Sequence, residues 1–279
     1  MLDHAAQPRL LIDERPFELA EDEYLSAVPG PHLDLVRAPA VAPQLRAQGW
    51  RPAAELVHYA RDVQSGAFER WLGRRPSWKS RARMSTAPLR LVFRAGLEAL
   101  SQAAHLELEV VTRFDDRVDG LWQSARHDYR VIAERSGEAL AHRFDDGQEV
   151  LHRVYMASHK EVVGYFVLRT HLRNGTFVSE LVDFLSRDTW LLPLFVQCLL
   201  YAHETHSAAL VLSASAPHLG GYLAGLGFDP RHRDHILART PRGRGSAMTL
   251  PRAEQWFLTG VDRPRACLKR VPGDTAAWS

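Results

Sequence analysis

Two cysteines, Cys198 and Cys267, are the only thiols in 279 residues. They provide neither a disulfide framework nor a zinc-ligand spacing, and Cys198, set in an apolar run, reads as a core residue. An excess of one charge is also missing. Lys+Arg is 35 and Asp+Glu is 33, a formal net charge of +2, so only a local distribution could argue for a polyanionic partner. Long apolar runs are absent. The longest, Trp190 to Ala202, is broken by Pro193 and Gln197 and falls short of the ~20 residues that cross a bilayer. The N-terminus, Met-Leu-Asp-His-Ala-Ala-Gln-Pro, has neither the basic nor the apolar region of a signal peptide. A cytoplasmic protein with no membrane partner is expected. No glycine-rich nucleotide motif occurs, and Ser213 and Ser215 lie outside any nucleophile-elbow context. Among 14 histidines, His203/His206 and His232/His235 have helical i, i+3 spacing. Neither pair has a third ligand nearby, so no metal is expected.

What is present describes an ordinary globular chain. Hydrophobic residues make up 46% and charged residues 24%, values typical of soluble domains. A chain of this length buries a core without covalent staples.

A repeat stands out at an offset of 178 residues. Leu33–Arg61 aligns without a gap on Val211–Arg239, sharing Ala38/Ala216, Pro39/Pro217, Leu45/Leu223, Gly49/Gly227, Pro52/Pro230, Ala60/Ala238 and Arg61/Arg239. Each copy decodes as strand, helix, Gly-aromatic, strand. Proline suits a first helical turn, and Gly49 or Gly227 suits a left-handed helix end.

Upstream of the second copy, His105–Phe114 reads as a strand. Val118, Leu121, Trp122 and Ala125 fall on one helical face, and a second helix covers Gly137–Phe144. His152–Ser158 and Glu161–Leu172 read as strands. Asn174-Gly175 is a hairpin signal, followed by the strand Phe177–Leu185, the helix Trp190–His206, the repeated unit and a last strand around Trp256–Gly260. The result is an α/β protein with a mixed central sheet and helices on both faces. Between the repeats, Arg70, Arg74, Arg75, Lys79, Arg81 and Arg83 interleave with Trp71 and Trp78. No nucleic-acid-reading module surrounds them, so a solvated connector without specific nucleic-acid affinity is expected.

This order resembles the GNAT family, the acyl-CoA N-acyltransferase fold. Val162-Val-Gly-Tyr-Phe-Val-Leu168 resembles its third strand, Phe177–Leu185 its fourth, and Leu219–Phe228 its last helix with the terminal Gly-Phe. Phe114–Trp122 and Trp256–Asp262 resemble a bacterial, partly duplicated subgroup. The resemblance implies a truncated half domain plus connector in residues 1–100 and an acyltransferase domain in 101–279. It implies acetyl-CoA or another acyl-CoA as donor, inserted where Phe177–Leu185 parts from Ala209–Leu212 and held by Phe184, Leu185 and Ser186. The acceptor would be an amine-bearing small molecule or peptide.

Two departures accompany it. The family's phosphate loop carries glycines, whereas Ser186-Arg-Asp-Thr-Trp190 has none; Arg187 and Thr189 are left as phosphate ligands. An acyl carrier protein, which presents a single phosphate, is therefore a second possible donor. The family's acid tyrosine corresponds to Leu223, with Tyr222 one residue earlier. Tyr222 is either that acid or an ordinary packed or surface residue. Strand alternation sets Asp183 with Ser179 and Leu181, and Glu180 on the opposite face. Asp183 is the first candidate base and Glu180 the second, each alternatively an ion-pair partner of an arginine such as Arg169. A GNAT-shaped binding or scaffold protein without catalysis is the competing reading.

Overall fold

A computed structural model of the chain describes residues 32–36, 47, 51–64, 106–129, 131–144, 151–158, 161–173, 175–239 and 252–262. The basic connector and, apart from Ala47, the first repeat's helix lie outside the described residues. In chain order the elements are β1 (His32–Val36), β2 (Arg51–Asp62), β3 (Leu106–Val111), α1 (Asp119–Ala125), β4 (Val131–Ile132), α2 (Gly137–Phe144), β5 (Leu151–Ser158), β6 (Glu161–Arg173), β7 (Thr176–Ser186), α3 (Asp188–Glu204), β8 (Ala209–Ala214), α4 (Leu219–Gly225), β9 (Asp229–Arg239) and β10 (Trp256–Phe257).

Local chemistry explains most of these boundaries. Val118, Leu121, Trp122 and Ala125 are all buried, as their helical spacing requires. Gly175 turns the β6–β7 hairpin at φ +67°, and Gly227 ends α4 at φ +81°, conformations that disfavour a Cβ. Pro193 lies inside α3. Its missing N–H releases only the carbonyl of Thr189, in the exposed first turn, where water can take its place.

The main sheet has eight strands in the order β1-β9-β2-β8-β7-β6-β5-β3. It is mixed, with β7 and β8 parallel and the other neighbours antiparallel. Helix α3 seals one face through Phe195 against Phe184, ring centroids 5.3 Å apart, and Tyr201 against Phe166 at 6.0 Å. On the other face Phe114 meets Tyr165 at 5.2 Å and Phe144 of α2 at 6.0 Å. The last strand differs from expectation. Trp256–Phe257 leaves the main sheet and pairs in parallel with the two residues of β4.

The repeated segments take up related positions. Leu33 faces Ala238 as Val211 faces Ala60, and Leu35 faces Ile236 as Ser213 faces His58. Between β2 and β9, Leu56 faces Asp234, two positions that are themselves one repeat apart. The ladder is symmetric about them: Ala54 faces Ile236 as His58 faces His232, and the register shifts at Pro52/Ala54 and His58/Tyr59 correspond. β2 thus lies between β8 and β9, so both sides of residue 100 contribute strands to one sheet.

Gly137 opens α2 with no room for a side chain; a Cβ there would meet the Asp115 carbonyl oxygen at 2.1 Å. Gly120 of α1 has open space around it. Gly137→Ala is expected to lose about 1–3 kcal/mol in urea unfolding. Gly120→Ala is expected to be neutral or to gain up to about 1 kcal/mol.

Candidate active site at the parting of two parallel strands

β7 and β8 pair from Val178↔Ala209 to Leu181↔Leu212 and then separate. Parallel strands that part at their C-terminal ends leave backbone groups without a sheet partner, and such groups must find one elsewhere. Here the chain supplies it. Thr259 forms an antiparallel bridge with Ala214, Ser215 donates its N–H to the Leu258 carbonyl at 3.0 Å, and Leu258 donates to Ser215 Oγ at 2.8 Å. Gly260 sits so close to β7 that a Cβ would lie 3.3 Å from the Val182 carbonyl oxygen. The other edge of β8 is taken by β2 and the other edge of β7 by β6. The segment 258–260 therefore lies in the opening itself, which the sequence reading expected to be free.

A bulge corrects the expected alternation. Val167 faces Asp183 while Leu168 faces Leu181, so Val182 is an extra residue in β7. Beyond it the faces exchange, and Asp183 joins Glu180 on one side instead of opposing it. Tyr165 and His171, both on that face of β6, bond Asp183 and Glu180 respectively, each at 2.8 Å.

Asp183 is fully buried and committed to an ion cluster. Arg135, also fully buried, donates to Asp183 Oδ1 from Nε at 3.1 Å and from Nη2 at 3.0 Å, to Asp262 Oδ2 at 2.6 Å, and to the Ala133 carbonyl at 2.8 Å. Thr259 Oγ1 donates to Asp183 Oδ1 at 2.7 Å. Burial opposes the Arg135 charge, but the Asp183 and Asp262 carboxylates outweigh it and hold the guanidinium protonated. Burial, and then the Asp183 carboxylate, push the Tyr165 phenol well above its usual range, so it remains a donor. Burial also works against the Asp262 charge, yet Arg135 and Arg143 hold its carboxyl below the usual carboxylate range.

Glu180 is almost as enclosed, 4% exposed, and it meets His171 and, at 3.6 Å, Arg169 Nη1. The half-exposed His171 gives this carboxylate a route to the surface that Asp183 lacks. Of the expected donor contacts, Phe184, Leu185 and Ser186 are buried, and the Ser186 hydroxyl donates to the Arg187 carbonyl at 3.2 Å. Arg187 and Thr189 are exposed at the start of α3. Tyr222, 38% exposed, lines a cleft of about 450 Å³ together with Asp128, Tyr129, Asp188, His218 and Glu254. Elsewhere in the sheet Ser213 Oγ lies 2.9 Å from His58 Nδ1, and His58 Nε2 lies 2.8 Å from Asp234 Oδ2. All three side chains are buried, and they tie β8, β2 and β9 together. No cluster of His, Cys, Asp or Glu suited to a metal occurs among the described residues.

Two N-acyltransferases are among the solved structures of similar architecture. A GCN5-related N-acetyltransferase from Anabaena variabilis superposes with a TM-score of 0.53 at 12% identity, covering 79% of this chain and 49% of that one. N-myristoyltransferase from Saccharomyces cerevisiae, solved with bound myristoyl-CoA, superposes at 0.51 and 12% identity over 76% of this chain and 54% of that one. This chain has the GNAT fold. It spans about half the length of each of these enzymes. No protein-family model matches the chain, and no curated protein does.

Within this GNAT fold Arg135, Thr259 and Asp262 were not singled out by sequence. The one available signal was an arginine amid apolar segments; its partners lie 48 and 127 residues away. Arg135→Met is expected to cost about 3–5 kcal/mol, because it strands two buried carboxylates; chemical denaturation measures it. Asp262 has a lower pKa folded than unfolded. Its stabilisation is complete above the unfolded value and is lost as the pH falls through the folded one. Stability is expected to decline below about pH 4, and Asp262→Asn to flatten that decline in melts recorded across the acid range.

Proposed function

We propose that the protein moves an acyl group from a thioester, on CoA or an acyl carrier, to an amine. The observation that supports this reading is the parting of β7 and β8 in a GNAT fold, with α3 starting directly beyond the parted end of β7. The buried strand end Phe184–Ser186 would run beside the pantetheine amides. The phosphates have less to hold them: no glycine loop precedes α3, and Asp188 stands beside Arg187 and Thr189. A donor gripped through its pantetheine arm fits that composition better than one gripped through a diphosphate. Glu180 is the better base, because its His171 contact reaches solvent while Asp183 is held by Arg135. Tyr222, at the mouth, remains the candidate acid for the departing thiolate.

The symmetric registers of β1/β2 and β8/β9 support a duplicated origin, with a first copy reduced to its closing strand-helix-strand unit. A cytoplasmic, bacterial setting and a peptide or small-molecule amine belong to the same proposal. No helix among the described residues is long and apolar enough to cross a membrane.

A second reading has its own support. Segment 258–260 and the Arg135 cluster fill the vertex of the opening, which suits a GNAT-shaped binding protein without transfer. Melting of the full chain with acetyl-CoA, longer acyl-CoAs and acylated carrier protein decides between them. Donor at 100 times its dissociation constant would add ~2.7 kcal/mol. Glu180→Gln is expected to lower transfer about 100-fold or more while leaving the donor-induced shift in place. If no donor shifts the melting point, the transferase reading fails and the binding protein remains.

A further inference from the structure

The sheet ends at β3, whose only neighbour in the strand order is β5. An edge strand presents backbone N–H and C=O groups that can pair with another extended chain. The strand reads Leu-Glu-Leu-Glu-Val-Val, and no basic residue interrupts it. Directly opposed residues of an antiparallel pair share a face. Leu108 and Val110 therefore lie on the face of Met156 and Val154, and Glu107 and Glu109 on the face of Ala157 and Tyr155.

Neither face of this edge is covered. Leu108 and Val110 are 36% and 59% exposed, whereas Met156 and Val154 opposite them are fully buried. The apolar core thus runs out one strand before the sheet does. On the other face both glutamates are exposed. Glu109 accepts from Arg117 at 2.6 Å, but Arg117 also serves Asp115 at 2.9 Å. Glu107 has no ion pair among the described residues. The strand carries an excess of negative charge on one side and uncovered aliphatic groups on the other.

This pattern selects among the chains that could extend the sheet. A second copy added antiparallel and centred on Leu108 sets Glu107 against Glu109. Centred one residue further on, it sets Glu109 against itself. Like charges directly opposite destabilise a pair of strands, so the edge repels its own copy in its two most complete registers. A strand with Lys or Arg at alternate positions reverses the sign of each of those contacts. Its intervening apolar residues would lie against Leu106, Leu108 and Val110, and its backbone would take up the edge hydrogen bonds.

We propose that β3 docks an extended segment of a partner protein in which basic residues alternate with apolar ones, adding it to the sheet as a further strand. The surface is independent of the acyl transfer proposed above, since β5 and β6 separate it from β7.

The experiment is fluorescence anisotropy of the full chain with a labelled, end-capped peptide, Lys-Leu-Lys-Val-Lys-Leu. Three comparison peptides accompany it: the same residues in block order, an acidic counterpart with Glu for Lys, and versions N-methylated at one or the other alternate set of backbone nitrogens. The alternating basic peptide is expected to bind, and the block and acidic peptides at least about tenfold more weakly. Methylation of one alternate set should abolish binding and methylation of the other should not, because an added strand points every second N–H at its neighbour. Glu107→Lys combined with Glu109→Lys should weaken the basic peptide at least about tenfold and admit the acidic one. Both carboxylates are exposed and Arg117 retains Asp115, so this variant is expected to melt like the parent. Glu107→Gln, with an expected loss of about two- to threefold, serves if it does not. No binding of the basic peptide up to roughly 1 mM, equal binding of the block or acidic peptide, equal effects of the two methylation patterns, or unaltered affinity in the variants overturns the proposal.

Discussion

A guanidinium sealed from water is tolerable only when carboxylates surround it, and Arg135 organises the centre of this protein on that condition. Its two acidic partners come from different segments, Asp183 from β7 and Asp262 from the stretch beyond β10. The pairing joins three stretches of chain that are remote in sequence. Transferring such charges out of water costs several kcal/mol for each ion, and only close geometry with every lone pair used repays it. Thr259 and Tyr165 complete that geometry with 2.7 and 2.8 Å bonds to Asp183. The cluster therefore fixes where segment 258–262 lies, and that position closes the vertex of the opening.

The chemistry of the mouth follows from this closure. A ligand approaching the ends of β7 and β8 meets Gly260 and Thr259 at the vertex and, further out, the cleft between the starts of α3 and α4. The vertex offers protein backbone already engaged with Ala214 and Ser215. The cleft offers rings and carboxylates.

Much of the fold was legible because its signals are local. Helix α2 begins and ends where its composition placed it, the β6–β7 hairpin turns at Gly175, and the four apolar residues around α1 are buried together. The repeat was legible too, as prolines and glycines in a common register. Its consequence was not: β2 inserts between β8 and β9, a pairing between strands remote in sequence that no local preference encodes.

The site divides along the same line. Residue type and spacing alone determined that an acidic strand, Phe177–Leu185, ends at a helix without a glycine loop; the place of Tyr222, one residue before the family's acid, was what the resemblance implied. Only the tertiary structure decided how each carboxylate is partnered. The extra residue Val182 turns Asp183 onto the face of Glu180, Arg135 then claims Asp183, and His171 connects Glu180 to the surface. A β-bulge leaves no mark in a strand's alternation, because one added residue alters facing without altering composition. A buried ion pair leaves none either, since its energy arises from the dielectric and geometry of the folded interior rather than from the residues taken one by one.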